Sequence, residues 1–262
     1  MKKYLNLLKF EFKNILRDKM TLILLIYPFL IMLLGAYLIP AILERTNASG
    51  SGEEVAILII IIVFAVLAPF ITSALLGFTL LDNRDENTLV TIRVTPISLK
   101  GYIMFKSIYA YILSVNATFW VIYGTKLLSG DSYTVMGKNL FDAFTISNTL
   151  FYSVIVSLFT PVFGLFVSAF ARNKVEGFAY LKGSGLFIMI PVLSVLNAMQ
   201  DARQYILGII PLFWPVKGLM VDANLLTNDA NLPVLLYMII GALYMILLIC
   251  LSYKVFENKV SS

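Results

Sequence analysis

Six stretches of this chain are apolar without interruption: Met20–Pro40, Val55–Leu81, Ile103–Thr125, Asn148–Ala171, Gly183–Met199 and Pro233–Tyr253. Each approaches or exceeds the roughly 20 residues an α-helix needs to cross hydrocarbon. A membrane β-barrel would alternate apolar and polar positions with a period of two, and these runs do not. The pattern therefore predicts an all-α polytopic membrane protein with six transmembrane helices, the fifth being the shortest. Ahead of the first run, Lys2, Asn6, Lys9, Lys13 and Arg17 form one polar stripe, and Leu5, Leu8, Phe12, Ile15 and Leu16 form the opposite apolar one. That spacing predicts an amphipathic helix over residues 1–19 lying in the membrane interface. It acts either as an anchoring collar for span one or as an elbow that pivots when the bundle rearranges.

Orientation follows from the positive charges. With both termini inside, the inner segments hold Lys2, Lys3, Lys9, Lys13, Arg17, Lys19, Arg84, Arg93, Lys100, Lys106, Arg172, Lys174, Lys182, Lys254 and Lys259. Only Arg45, Lys126, Lys138, Arg203 and Lys217 remain outside, while the acidic residues divide nearly evenly. Lysine and arginine set topology and carboxylates hardly do, so the chain is N-in and C-in. The basic segment is long and the first run exceeds an ordinary signal-peptide core, so no cleavable signal is expected.

Composition narrows the function classes. The chain has 262 residues, 60% hydrophobic and 13% charged, with mean hydropathy +0.88. A soluble domain carries roughly 45–50% apolar and about 25% charged residues, so a water-soluble globule is excluded. Histidine is absent, which removes histidine bases and ligands and with them rhomboid-like and zinc-dependent intramembrane proteases. The single cysteine, Cys250, has no partner within the chain for a disulfide. Its net charge of +5 is explained by orientation; membrane lipid is the expected partner and nucleic acid is not.

Within the six runs the only ionisable Asp, Glu, Lys or Arg is Lys106. Proton-driven pumps need titratable groups at membrane depth, so proton coupling is disfavoured, and a hydrophobic or amphipathic permeant fits better than an ionic one. The only Gly-Lys pair, Gly137-Lys138, lacks the first glycine and the Ser or Thr of a phosphate-binding loop. The chain itself is thus expected to hold no cofactor.

One cytoplasmic loop carries structure. Asp82, Asp85 and Glu86 suit the start of a short helix; Leu89 and Ile92 share a face; Pro96 ends it, and Ser98 can cap the segment after it. This predicts a membrane-parallel docking helix within residues 82–102. The stretch Glu86-Asn87-Thr88-Leu89, then Thr95-Pro96-Ile97-Ser98, then Lys106, together with six spans and an interfacial N-terminus, resembles the type-2 permeases of ATP-binding-cassette (ABC) exporters. Asn87 stands where that family has glycine, Val90 where it has an acidic residue, and Phe105 where it has glycine.

The resemblance implies a dimeric machine in which a nucleotide-binding ATPase subunit drives this permease, paired with a second copy or a homologous permease. Asp85, Glu86, Thr88, Leu89, Ile92, Arg93, Thr95 and Pro96 would couple to the ATPase. Spans two and five would line the cavity, singling out Phe70, Thr72, Ser73, Ser194 and Asn197. Residues 200–232 lie outside yet are apolar around Pro211, Phe213 and Trp214, predicting a re-entrant element that is either an outer gate or an interfacial anchor. Ser73-x-x-x-Gly77 and Gly164-x-x-x-Ser168 read as close-packing faces; Pro69, Pro161 and Pro191 mark hinges or simple curvature. The expected cargo is a hydrophobic drug or peptide exported across a bacterial plasma membrane. A lipid or glycan precursor, or a non-transporting immunity or sensor role, are the alternatives.

Overall fold

A computed structural model describes residues 19–46, 51–86, 98–135, 138–199, 201–223 and 229–261, and they form an all-α, multi-pass membrane protein. Span one is the helix Lys19–Leu33, continued through a π-type turn, Leu34–Leu38, into Ile39–Thr46. Span two is one helix, Ser51–Asp85. Span three runs Leu99–Phe119, passes through a second π-type turn at Trp120–Gly124 and ends in Thr125–Ser129. Span four is two helices, Ile146–Val156 and Phe159–Phe170. Span five is Lys174–Met189, tightening into a 3-10 segment, Ile190–Val195. Short turns at Asn197–Met199 and Ala202–Ile209 and a helix Phe213–Asp222 lead to span six, Val234–Ser261. Between spans three and four a two-residue antiparallel ladder pairs Thr134 with Asn139 and Val135 with Lys138. The expected interfacial helix over residues 1–19 lies outside the described residues except for Lys19, which opens span one.

Three boundaries differ from the sequence reading, each for a local reason. Span two runs on past Leu81, so that Asp82 and Asp85 lie in its last turn, and the docking helix expected after them lies outside the described residues. Carboxylates at a helix C-terminus are unfavourable, but Asp82 is paired with Lys174 at 2.6 Å and Asp85 lies 4.0 Å from Arg84. Span five begins nine residues before Gly183. Asn173 Oδ1 accepts the Glu176 N–H at 3.0 Å while the Glu176 carboxylate accepts the Arg172 N–H at 2.7 Å, a reciprocal cap that starts the helix in the loop. The same span loses α geometry at Ile190 because Pro191 has no N–H to continue it.

Spans two and four make the central contact. Gly77 and Gly164 meet there: a Cβ on Gly77 would lie 3.3 Å from the Gly164 carbonyl oxygen, and one on Gly164 would lie 2.9 Å from Leu76. The two expected close-packing faces are thus one crossing point. Ile62, Ala65 and Val66 of span two and Tyr152 and Val156 of span four are buried together at its outer side. The π-type turns of spans one and three also face each other. Gly35 abuts Phe64 and Thr125, Gly124 abuts Met32, and Tyr133 Oη donates to the Gly35 carbonyl at 2.5 Å. Burial pushes the Tyr133 phenol up to about 12.

Candidate functional site

The cytoplasmic ends of spans two to five form a braced base. Arg84, in the last turn of span two, donates from Nη1 to the Ser168 carbonyl at 3.1 Å and from Nη2 to the Ala171 and Arg172 carbonyls at 2.6 and 2.9 Å. These carbonyls close the inner half of span four and have no further helical turn to bond, so a guanidinium supplies both the donors and the charge that the helix end lacks. Lys174, at the start of span five, reaches Asp82. Asn83 Nδ2 donates to Tyr102 Oη at 2.9 Å, tying span two to span three.

The proposed docking loop hangs from this base. Asp85 and Glu86 are exposed at its near end, the Glu86 N–H bonded to the Asp82 carbonyl at 2.9 Å. Thr88, Leu89, Ile92, Arg93, Thr95 and Pro96 lie outside the described residues. At the far end Ser98 Oγ accepts the Gly101 N–H at 3.1 Å and so caps span three. Lys106, the one Asp, Glu, Lys or Arg within the six apolar runs of the sequence, is buried with its Nζ 5.7 Å from the Tyr102 ring centroid.

At mid-span the polar residues are used locally. Pro69 lacks an N–H, which leaves the Ala65 carbonyl without its helical donor; Tyr152 Oη of span four fills that role at 3.3 Å. Beside it, Thr160 Oγ1 donates to the Pro69 carbonyl at 3.2 Å and Tyr27 Oη to the Ala68 carbonyl at 2.8 Å. Thr72 is buried and bonded to Tyr27 and to the Ala68 carbonyl. Ser73 donates to the Phe70 carbonyl and Ser194 to the Pro191 carbonyl, each at 2.6 Å. These hydroxyls act as bonds within and between helices. Span two does pack against Ile190–Val195, so the two elements that carry Thr72, Ser73 and Ser194 are neighbours. Asn197 sits in the short turn Asn197–Met199.

Phe70 is placed differently. Its ring stacks on Phe163 with centroids 5.6 Å apart, and Phe163 belongs to a ladder on the inner half of span four: Phe159, Phe163, Phe166 and Phe170, spaced 4.6–6.1 Å. Tyr180 of span five meets Phe166 edge-on at 6.4 Å, and Lys259 Nζ stands 4.6 Å above Phe170. No contiguous aromatic run announces this ladder. Its signal is the spacing 4, 3, 4, which puts four rings on one face of a helix.

The outer segment folds onto span six. Trp214 Nε1 donates to the Gly208 carbonyl at 2.9 Å, and its ring lies near those of Tyr205 and Tyr237. Phe213 is fully buried, Pro211 half-buried at the turn. On the same helix Lys217 is fully buried with no hydrogen-bond partner for Nζ among the described residues, and burial lowers its pKa from 10.5 to about 8. Asp222, which accepts from Asn148 Nδ2 at 3.2 Å, is raised by burial against that hydrogen bond. Sequence reasoning counted Lys217 as a loop charge and Arg84 only as a marker of orientation; Arg84 was detectable as the first cation after a long apolar run, whereas nothing local marks Lys217 as buried.

The family described as fluoroquinolones export permease protein Rv2686c-like matches residues 11–253. Two relatives from Mycobacterium tuberculosis, fluoroquinolones export permease protein MT2760 (strain CDC 1551 / Oshkosh) and fluoroquinolones export permease protein Rv2686c (strain ATCC 25618 / H37Rv), are each 22% identical over 253 residues. The alignment covers 95% of this chain and 92% of theirs. With apolar helices long enough to cross a membrane and a match over nearly its whole length, the chain belongs to the Rv2686c-like family of fluoroquinolones export permeases.

Proposed function

We propose that this permease is the membrane half of an ATP-driven exporter for amphipathic aromatic drugs. Two copies, or one copy and a homologous permease, form the pathway, and two nucleotide-binding subunits supply ATP and Mg²⁺. The observation that carries this reading is the brace around Arg84: a displacement of the loop after Glu86 cannot move span two without moving the span four–five turn bonded to it. That turns the loop into a lever on four spans, with Asp85, Glu86, Thr88, Leu89, Ile92, Arg93, Thr95 and Pro96 as its contact surface.

The path is expected along spans two and five, past Phe70, Thr72, Ser73, Ser194 and Asn197, with Pro211, Phe213 and Trp214 closing its outer end. The ladder of Phe70, Phe163, Phe166 and Phe170 supports a planar aromatic cargo, because offset ring stacking favours flat π-systems. The relatives are named for fluoroquinolones, which are flat aromatic molecules. A second copy has room beside span five: among the described residues nothing lies within 4 Å of a Cβ added at Gly183 or Gly185, and Leu186 is 76% exposed.

The test is drug accumulation in a sensitive bacterium expressing the permease with its ATPase. Intracellular fluorescence of a fluoroquinolone should fall on co-expression, and Phe163→Ala with Phe166→Ala should restore it while the protein remains in the membrane. Equal accumulation with and without the pair would reject the reading.

A further inference from the structure

A groove of about 410 Å³ runs along the flank of the bundle between spans three, four and six. Its size lies within the roughly 300–1,000 Å³ of small-molecule sites. Ile108 is 47% exposed, so the groove opens sideways towards lipid. Its polarity is graded along the span axis. At the cytoplasmic end stands Lys100, exposed, with Nζ 5.7 Å from the centroid of the Tyr253 ring. Ser107 comes next on the same face of span three, seven residues or roughly 10 Å of helix rise deeper. Ile108, Leu165 and Ile249 make an apolar wall beside it, and Tyr111, whose hydroxyl is spent on the Val154 carbonyl at 3.0 Å, lies one turn further along span three.

The hydroxyls of Ser107 and Tyr253 are buried and have no hydrogen-bond partner among the described residues. Hydrocarbon offers no water to satisfy them. A cation at the mouth of an apolar groove, with orphaned donors at and below it, matches a molecule with its negative charge outermost, acceptor oxygens next and a hydrocarbon tail innermost. A phospholipid has that order. At the same end of span six Lys254 and Lys259 outnumber Glu257, so the local charge also favours an anion.

We propose that this groove holds one acidic phospholipid of the cytoplasmic leaflet, its phosphate on Lys100, its ester carbonyls accepting from Tyr253 and Ser107, and an acyl chain against Ile108 and Leu165. The site faces away from the Phe70–Phe163 stack and does not depend on the transport reading.

Cys250, the single cysteine of the chain, lines the groove and is exposed, so it reports occupancy. The experiment measures the rate of Cys250 alkylation by N-ethylmaleimide in full-length permease in maltoside micelles, with added phosphatidylglycerol, phosphatidylcholine or inorganic phosphate. Protection by a bound ligand scales as one plus its concentration over Kd, so phosphatidylglycerol at about four times Kd slows labelling about fivefold. Phosphatidylcholine should protect less and inorganic phosphate not at all. Lys100→Gln should remove the preference for the acidic lipid, and Tyr253→Phe, which keeps the ring, should weaken protection by both lipids. Native mass spectrometry should find one phosphatidylglycerol per wild-type chain and none on Ile108→Trp. Equal protection by the two lipids, an unchanged preference in Lys100→Gln, protection by phosphate alone, or stronger protection by a fluoroquinolone would each overturn the proposal.

Discussion

Tyr152 and Ala65 are joined across two spans by the bond that a proline makes necessary: the Tyr152 hydroxyl, 3.3 Å from the Ala65 carbonyl, stands in for the N–H that Pro69 lacks. The pairing keeps a kink-prone point of span two satisfied in hydrocarbon and ties it to the outer half of span four, just before the break at Ser157-Leu158. Tyr152→Phe should therefore lower stability by about 1–2 kcal/mol, the penalty of a buried carbonyl left unmade. In a Pro69→Ala background the restored N–H at position 69 supplies the bond, and the same substitution should lose most of its effect. Thermal unfolding of the four proteins in detergent measures the coupling; equal losses in both backgrounds would show that the hydroxyl does not replace the missing donor.

Glycines separate the packed face from the open one. Gly164→Ala drives a methyl group to 2.9 Å from Leu76 at the crossing of spans two and four, and should destabilise by about 1–3 kcal/mol. Gly183→Ala meets nothing within 4 Å in a single chain, so helix propensity alone should stabilise the isolated permease by up to about 1 kcal/mol. If a second copy seats on span five, Gly183→Leu should lower the dimer fraction in crosslinking without lowering the unfolding temperature of the monomer. An unaltered dimer would place the interface elsewhere.

Arg84 and Lys174 brace the same base with different strengths. The Lys174–Asp82 pair is exposed, so Lys174→Ala should alter stability by no more than about 0.5 kcal/mol. Arg84→Leu strips three carbonyls of their charged donor and should lower the unfolding temperature distinctly. It should also reduce drug export per ATP hydrolysed by the assembled complex, because span two then loses its bonds to the end of span four. Export and hydrolysis falling in parallel would mean that Arg84 serves folding only.

Lys217 gives the fold a pH dependence. Its folded pKa of about 8 lies below the ordinary 10.5, so the folded state prefers the neutral amine. That preference is fully expressed above pH 10.5 and is lost as pH falls through about 8, where a buried ammonium must be carried without a partner. Stability should accordingly rise from pH 8 to pH 10. Lys217→Met should be more stable than wild type at pH 7 and should lose most of that rise, as read from urea or thermal unfolding across the range.

The spans were legible because hydrocarbon demands long apolar helices, and each of the six apolar runs lies largely in helix in the structure, extended at one or both ends in every span. The shifts came from interactions that a hydropathy pattern does not encode. Span five starts at Lys174 because Asn173 accepts the Glu176 N–H while the Glu176 carboxylate accepts the Arg172 N–H, and span two reaches Asp85 because Lys174, 92 residues later, neutralises Asp82. The candidate path residues were identifiable as polar groups within apolar runs, but the use of their hydroxyls depends on which carbonyl lies 3 Å away, and Pro69 decides that for Tyr152 and Thr160. Phe163 and Phe166 read individually as ordinary apolar residues; only the packed bundle lines them up with Phe70. The break in span four at Ser157-Leu158, three residues ahead of Pro161, was foreseeable as a hinge or curvature, and the structure makes it an interruption of the helix.

The most direct test is ATP-dependent uptake of a fluoroquinolone into inside-out proteoliposomes carrying the permease with or without its nucleotide-binding subunits, using wild type and the Glu86→Ala, Leu89→Asp double variant. The prediction is uptake only with the wild-type permease, its ATPase and ATP together, and continued ATP hydrolysis without uptake in the double variant. Uptake by the permease alone down an ion gradient, or wild-type uptake by the double variant, would contradict it.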